Sequence, residues 1–483
     1  MKNIHYKIIV VLISCLYLQI QAGCTVGPDY KPQDVNAPAG WTGTKNVSSP
    51  DTMLLEWWTE FNDVNLTSLI ERAMKSNLDI RLAEERIRES RASSGVAGAA
   101  FWPTAKATGS ASRDHTDTRT KVASKVDPNI IHNTTISSTS STFKAGLDAS
   151  WELDIFGGTR RNIEVAEADL KASIEDRRDV LITLISEVAN NYVQLRSFQQ
   201  EIIIAQNNLK AQQQSTSVVH KRYEGGFVSA LDVANADAQV ATTMSQIPVL
   251  ETSAQQTIYS ISVLLGQEPA SLLEELSPPS SIPITPPEVP AGLPSEMLRR
   301  RPDIRRAEAQ IHSATAQIGV ATADLFPKFN LTGSIGVSKT RPGNSQRLWS
   351  FGPSASWEIF NAGRVSSNIE VQKALQQQAI LTYRKTVLTA IQDVENALIA
   401  YTYEQEHHKA LIDAVAANRK AVELSTQLYV EGQTDFLSVL VAQGSLYSSE
   451  NALVQSTSNL STDLIALYKA LGGGWDGTSP ESN

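Results

Sequence analysis

The sequence predicts an α+β membrane protein made of two internal repeats, each a pair of amphipathic strands continued by helices of unusual length. Three observations carry that reading. Residues 159–224 form a run of 66 without Gly or Pro, and residues 364–431 a second run of 68. The segment that starts near residue 77 reappears near residue 301. Between these features, short segments alternate apolar and polar side chains with the period of two that a half-buried strand requires.

In chain order, the first element is a targeting signal over 1–23. Lys2 and Lys7 flank the start of an apolar stretch, 8–18, too short to span a bilayer. Ala22 and Gly23 precede Cys24, and the pattern resembles a bacterial lipoprotein signal. That resemblance implies a diacylglycerol and an N-palmitoyl chain on Cys24, with no other cofactor. Gln21 departs from the aliphatic residue usual in such signals. An ordinary secretory signal with an incidental Cys is the other reading. Cys15 lies inside the signal, so the exported chain is expected to hold no internal disulfide. Thr25, not Asp, follows Cys24, which favours the outer membrane as destination.

Composition narrows the function. A net charge of -9 argues against nucleic acid as a partner. A mean hydropathy of -0.19 excludes a polytopic helical membrane protein. The seven His residues are scattered, and adjacent His407 and His408 face different sides of a helix, a poor metal site. No His-Glu-x-x-His, phosphate-binding loop or Gly-x-Ser-x-Gly elbow occurs. Neither an enzyme nor a metal site is expected.

After an extended arm, 24–65, the rest is one unit written twice. At an offset of 224, Asp79, Ile80, Ala83, Glu84, Ile87, Gly95, Ala99, Pro103 and Gly109 meet identical residues from Asp303 to Gly333. Further on the offset is 206: Asn162-Ile-Glu meets Asn368-Ile-Glu, and Tyr223 and Gly226 meet Tyr429 and Gly432. The first repeat, 66–268, is expected to hold a helix over 66–100, strands near 104–113 and 142–155 around a long loop, a long helix over 159–224 and a helix over 227–265. Pro248 is expected to kink the last of these. A linker, 269–293, follows; the span 269–294 carries eight of the 20 prolines. The second repeat, 294–473, is expected to hold a helix, strands near 328–338 and 348–360, and helices over 364–431 and 433–471, before a tail, 474–483. In the long helices Leu181, Ile185, Val188, Tyr192 and Leu195, and again Val387, Ile391, Val394, Leu398 and Tyr401, form a coiled-coil seam. At 1.5 Å per residue each rod spans roughly 100 Å.

The strands alternate strictly. Phe329, Leu331, Ile335 and Val337 are interleaved with Asn330, Thr332, Ser334 and Ser338; Phe143, Leu147 and Trp151 are interleaved with Lys144, Asp148 and Glu152. A soluble sheet on a core would show the same pattern. Aromatic residues near the strand ends, such as Trp102, Trp151, Trp349 and Trp357, suit a membrane strand with interfacial anchors. Bacterial barrels need at least eight strands, and an open edge in lipid leaves backbone groups unpaired. Four strands per chain therefore require oligomers; a homotrimer supplies twelve.

The segment 292–308, Gly-Leu-Pro-Ser-Glu-Met-Leu-Arg-Arg-Arg-Pro-Asp-Ile-Arg-Arg-Ala-Glu, resembles a signature of the lipoprotein branch of the outer-membrane factor family, the TolC/OprM/NodT type. Leu264-Leu-Gly and Tyr223-Glu-Gly-Gly also match, and the likeness covers nearly the whole mature chain. It implies a trimeric 12-stranded outer-membrane β-barrel continued by a periplasmic α-helical coiled-coil tunnel. It also implies a passive exit duct in the cell outer membrane of a Gram-negative bacterium. The expected partners are outer-membrane lipid, a periplasmic adaptor (membrane fusion) protein and an inner-membrane pump of the RND type. The helix–turn–helix tips, 223–232 and 429–442, resemble the closed periplasmic end. Tyr223, Gly226, Tyr429 and Gly432 fall at turns that resemble adaptor contacts, where Gly also simply permits a tight turn. Leu437 matches a pore-constricting leucine. Ser438 and Val441 stand where relatives often carry acids, which implies a more apolar gate. Asp435, one turn earlier, either adds charge to that gate or faces solvent. A non-conducting coiled-coil scaffold lipoprotein would also account for the helices and Cys24, but not for two sets of alternating strands.

Overall fold

The computed structural model describes residues 25–33, 40–41, 55–123, 131–283 and 299–475. Cys24 and the signal lie outside them. Two compact units are present: Met1–Pro32, Glu89–Leu170 and Ala309–Ile380 form one, and Gln33–Arg88, Lys171–Glu308 and Leu381–Asn483 the other. The helices are α1 (Val64–Ser76), α2 (Leu78–Ala99), α3 (Gly158–Glu224), α4 (Ala230–Leu264), α5 (Pro302–Ala323), α6 (Arg364–Val430) and α7 (Phe436–Ala470). Among the described residues no helix is long and apolar enough to cross a membrane.

The first unit contains one antiparallel sheet of β1 (Thr104–Ala123), β2 (Ile131–Leu153), β3 (Lys328–Arg341) and β4 (Ser345–Ser356), in that order. Register places like with like. Leu147 pairs with Ile335 and Ile335 with Trp349; Ala149 pairs with Gly333 and Gly333 with Phe351. One face is therefore an apolar band, and it is bare: Trp349 is 80% exposed and Phe351 72%. β1 and β4 each have one free edge.

The strand limits differ from expectation. Residues 114–123 and 131–141, expected as loop, belong to β1 and β2. They are rich in Ser and Thr on both faces, so no alternation marks them, yet Thr favours a pleated ribbon and pairs well across it. Thr120 sits opposite Thr134 and Thr116 opposite Ser138. β4 ends at Ser356, so Trp357 and Ile359 lie beyond it.

The two repeats share their strand register and the tryptophan contact that precedes it. Gly109 pairs with Ala145, and Gly333, 224 residues on, pairs with Phe351, 206 residues after Ala145. Trp151 Nε1 donates to the Phe101 carbonyl at 3.0 Å, and Trp357 Nε1 to the Leu325 carbonyl at 3.0 Å. Those partners obey the same two offsets.

Where β2 leads into α3, the start of the arm is docked. Val26 N–H donates to the Phe156 carbonyl at 3.1 Å. Arg161 Nε donates to the Val26 carbonyl at 3.2 Å and its Nη2 meets Asp29 at 2.6 Å. Gly27, at φ +91, lies so close to the Gly319 backbone that a Cβ on it would sit 2.5 Å from Gly319 Cα. Tyr30 stacks on His312 at 4.5 Å, and His312 Nε2 lies 2.8 Å from Glu164.

In the second unit the expected helix over 66–100 is broken at Asn77. Its buried side chain accepts from the Asp79 and Ile80 N–H groups and donates to the Leu264 carbonyl at 2.8 Å. An amide that caps one helix and grips another stops the first helix locally. α4 continues through Pro248. The seam is buried at Ile185, Val188, Tyr192 and Leu195, and at Val387, Val394, Leu398 and Tyr401. Arg301 donates to the Ala470 carbonyl at 2.9 Å and pairs with Asp303 and Asp393.

Asp463, on α7, is half-buried near Glu404. Burial and then Glu404 push it from 3.8 up to about 6. The folded chain therefore holds this proton more tightly than the unfolded chain, and stability declines as pH rises from 3.8 to about 6. Asp463→Asn is expected to melt higher than the parent at pH 7 and to match it below pH 4, when unfolding is followed across that range.

Candidate functional site: the helical tips

Both tips lie in the second unit and are built alike. α3 ends at Glu224; Gly226, at φ 74, donates to the Tyr223 carbonyl at 2.8 Å, and Phe227 N–H donates to the Arg222 carbonyl at 2.8 Å. α6 ends at Val430; Gly432, at φ 78, donates to the Tyr429 carbonyl at 3.0 Å, and Gln433 N–H to the Leu428 carbonyl at 2.8 Å. This is the left-handed glycine stop that satisfies the last carbonyls of a helix. Restarting is also matched. Ser229 and Asp232 form a reciprocal cap on α4, and Asp435 caps α7 by accepting from the Ser438 N–H at 3.0 Å.

The four expected gate residues separate by role. Leu437 and Val441, one turn apart on α7, are 57% and 61% exposed. Ser438 donates its hydroxyl to Asp435 at 2.6 Å. Those hydrogen bonds, side chain first and backbone second, hold the Asp435 carboxyl below its ordinary range. Asp435 is thus a helix cap with an exposed carboxylate.

The repeat-related tyrosines have opposite environments. Tyr223 is 47% exposed, whereas Tyr429 is 5% exposed and packs in a cluster with Val219, Ala236, Phe436 and Val439. Burial pushes the Tyr429 hydroxyl above its ordinary value, against the opposing effect of Arg222. Arg222 was not singled out by motif or spacing. Its guanidinium stands 4.7 Å over the Tyr429 ring and its Nη1 donates to the Tyr429 carbonyl. It ties the first tip to the second. Its signal lay in the repeat comparison: position 222 holds Arg where 428 holds Leu, and Val218 and Val219 offer no acid one turn back.

His407 lies 3.2 Å from Glu404, and His408 3.1 Å from the Thr457 hydroxyl. Among the described residues no group of three His, Cys, Asp or Glu is placed to hold a metal ion.

A sheet with one bare apolar face, continued by helices of 67 residues that stop at paired glycine turns, defines a membrane-embedded channel protein of mixed strand and helix. Residues 69–267 and 293–473 match the sequence profile described as outer membrane efflux protein, and the chain belongs to that family. It is an outer-membrane efflux channel of a Gram-negative bacterium. The chain is 34% identical over 478 residues to the pyoverdine export outer membrane protein OpmQ of Pseudomonas aeruginosa, covering 98% of this chain and 97% of that one. It is 33% identical over 459 residues to nodulation protein T of Rhizobium leguminosarum bv. trifolii, covering 94% and 95%. Among solved structures it resembles the outer-membrane channel OprN, with a TM-score of 0.83 and 36% identity, covering 94% of this chain and 100% of that one. The open state of the Neisseria gonorrhoeae MtrE channel matches with a TM-score of 0.79 and 29% identity, covering 93% and 98%.

Proposed function

We propose that the chain acts as a homotrimer, the passive exit duct of a tripartite efflux assembly, and performs no chemistry of its own. The observation that carries this reading is the four-stranded sheet with a bare apolar face and two free edges. Such edges are untenable in lipid unless other copies cover them. An RND-type inner-membrane pump supplies energy, and a periplasmic adaptor meets the tips around Tyr223, Gly226 and Gly432. Tyr429 serves from within, as a packing residue behind that surface. Acylation at Cys24 anchors the arm to outer-membrane lipid. No metal and no nucleic acid takes part.

The closed end is formed by Leu437 and Val441, with Asp435 and Ser438 fixing the start of their helix. An apolar ring closes by excluding water. Leu437→Ala is expected to raise single-channel conductance in planar bilayers several-fold, and an unchanged conductance removes Leu437 from the constriction. The same recordings separate the channel from a scaffold. Trimers that stay electrically silent after the tip is opened by substitution would establish the scaffold instead.

A further inference from the structure

The two faces of the sheet carry different charge. All four strand–helix junctions lie at one end: α2 leads into β1 at Thr104, β2 leaves at Leu153 for α3, α5 leads into β3 at Lys328, and β4 leaves at Ser356 for α6. The opposite end, where the chain turns between Arg341 and Ser345, therefore points away from the periplasmic helices. The register fixes which side chains share the bare apolar face. Arg113 lies opposite Ser141, and Ser141 opposite Arg341; Lys339 lies opposite Phe143 and Ser345; Arg347 lies opposite Val337. Phe143 and Val337 belong to the apolar face, so Arg113, Lys339, Arg341 and Arg347 stand on it too, at its outer end, and all four are exposed. No acid shares that face between Ala105 and Arg113, between Ser141 and Leu153, or along β3 and β4. The next acid out on it, Asp117, lies 3.4 Å from His115. The other face is mixed, with Lys106, Lys144 and Lys328 among Asp148 and Glu152.

The depth of these cations matches a membrane boundary. From Phe329 to Lys339 the strand covers about 34 Å, which is about 26 Å of height at a tilt of about 40°. The apolar band of such barrels is about 25 Å tall, so Lys339 reaches its outer edge. Lys339 and Arg347 are diagonal neighbours, about 7–8 Å apart. Arg113 and Arg341 share one row two strands apart, a spacing of about 10 Å. A cation on a lipid-facing strand costs least near the interface, and long side chains run along apolar surface to hold their charge among the headgroups. The planar fork of Arg fits phosphate oxygens two at a time. We infer that this basic row binds the phosphate groups of the anionic glycolipid of the outer leaflet, while the apolar face below takes its acyl chains. The inference rests on the channel reading above and adds a lipid site to it. Four cations without an acid complement an anionic surface, whereas a zwitterionic headgroup supplies its own positive charge. Several phosphates on one headgroup can bridge cations spaced in this way, and a trimer carries the row three times.

The test titrates delipidated full-length protein in neutral detergent with fluorescently tagged lipopolysaccharide. Each cation near an anionic surface contributes a factor of about five. Replacing all four, as Arg113→Gln, Lys339→Gln, Arg341→Gln and Arg347→Gln together, is therefore expected to weaken binding by several hundred-fold. The pair Lys339→Gln with Arg347→Gln alters only two exposed positions and is expected to lose about twenty-five-fold; it decides the matter should the fuller variant not assemble. Arg113→Lys, Arg341→Lys and Arg347→Lys together keep the charge and are expected to retain most of the binding. Lys106→Gln with Lys144→Gln, on the other face, is expected to bind as the parent does. Lipopolysaccharide stripped of its phosphates, and phosphatidylglycerol with its single phosphate, are each expected to bind the parent far more weakly than the intact glycolipid. A pair variant that binds like the parent, or stripped glycolipid that binds as well as the intact form, overturns the site. Equal binding of phosphatidylglycerol overturns the choice of lipid. A loss confined to the Lys106 and Lys144 variant puts the lipid on the opposite face and overturns the channel reading together with the inference. A parent that conducts in planar bilayers but shows none of these differences overturns the inference alone.

Discussion

Arg222→Ala is expected to raise the open probability of the purified channel by about thirty-fold to several-hundred-fold. Arg222 reaches from the end of α3 to the end of α6, where Tyr429 backs the turn that leads into Leu437 and Val441. A partly exposed cation over an aromatic face contributes about 0.5–1 kcal/mol. A hydrogen bond from a charged donor to a carbonyl contributes about 1.5–3 kcal/mol. Losing both moves the balance between a tied and an untied tip by about 2–4 kcal/mol. Each 1.4 kcal/mol is a factor of about ten. The turn itself survives, since the Tyr429 carbonyl keeps its bond from Gly432 N–H at 3.0 Å. Arg222→Lys keeps the charge but not the planar stack, and is expected to fall between the two. Single-channel recording of reconstituted protein is the measurement. An Arg222→Ala channel that opens no more often than the parent, with trimers intact, removes this tie from the closed state.

The elements legible in the sequence were those with a strong period. The long helices contain no Gly or Pro and carry a seam, so Ile185 and Val394 are buried as a coiled-coil pattern requires. The strands that alternate, around Leu147 and Ile335, sit with their apolar rows aligned. What stayed hidden had no period. The Ser- and Thr-rich ribbon beyond Asp114 carries no facial contrast, so its strand character comes from pairing alone. Asn77 breaks a helix through a bond to Leu264, 187 residues away, which no local rule reports. At the tips the glycine turns were readable because a left-handed residue is nearly always Gly. The burial of Tyr429 was not readable, because the identical residue at 223 remains exposed. The difference arises from Arg222 and Phe436, which break the likeness between repeats.

The same asymmetry singles out Arg196, whose replacement is expected to cost the most stability. It is buried to 1% exposure on α3. Its Nη1 donates to Gln199 Oε1 at 2.7 Å and to the Pro278 carbonyl at 3.0 Å, and its guanidinium stands 4.7 Å over the Tyr192 ring. These bonds fasten the start of the linker between repeats, which Gln200 and Ser461 also hold at Ser280 and Pro283. The counterpart at 402 is Thr, which donates to its own helix at the Leu398 carbonyl. Arg196→Ala removes both Nη1 hydrogen bonds, leaves a cavity and strands Gln199 Oε1 in a dry site. Truncations of this kind cost about 3–5 kcal/mol. In a folding unit of this size that lowers the melting midpoint by roughly 6–15 °C. Arg196→Met fills the volume without the donors and is expected to lose about half as much. Thr402→Ala is expected to shift the midpoint by less than about 2 °C. Thermal melts of the detergent-solubilised protein, with proteolysis of the 277–283 segment as a second readout, test the assignment. An Arg196→Ala protein that melts with the parent and keeps that segment protected shows that the linker is held by other means.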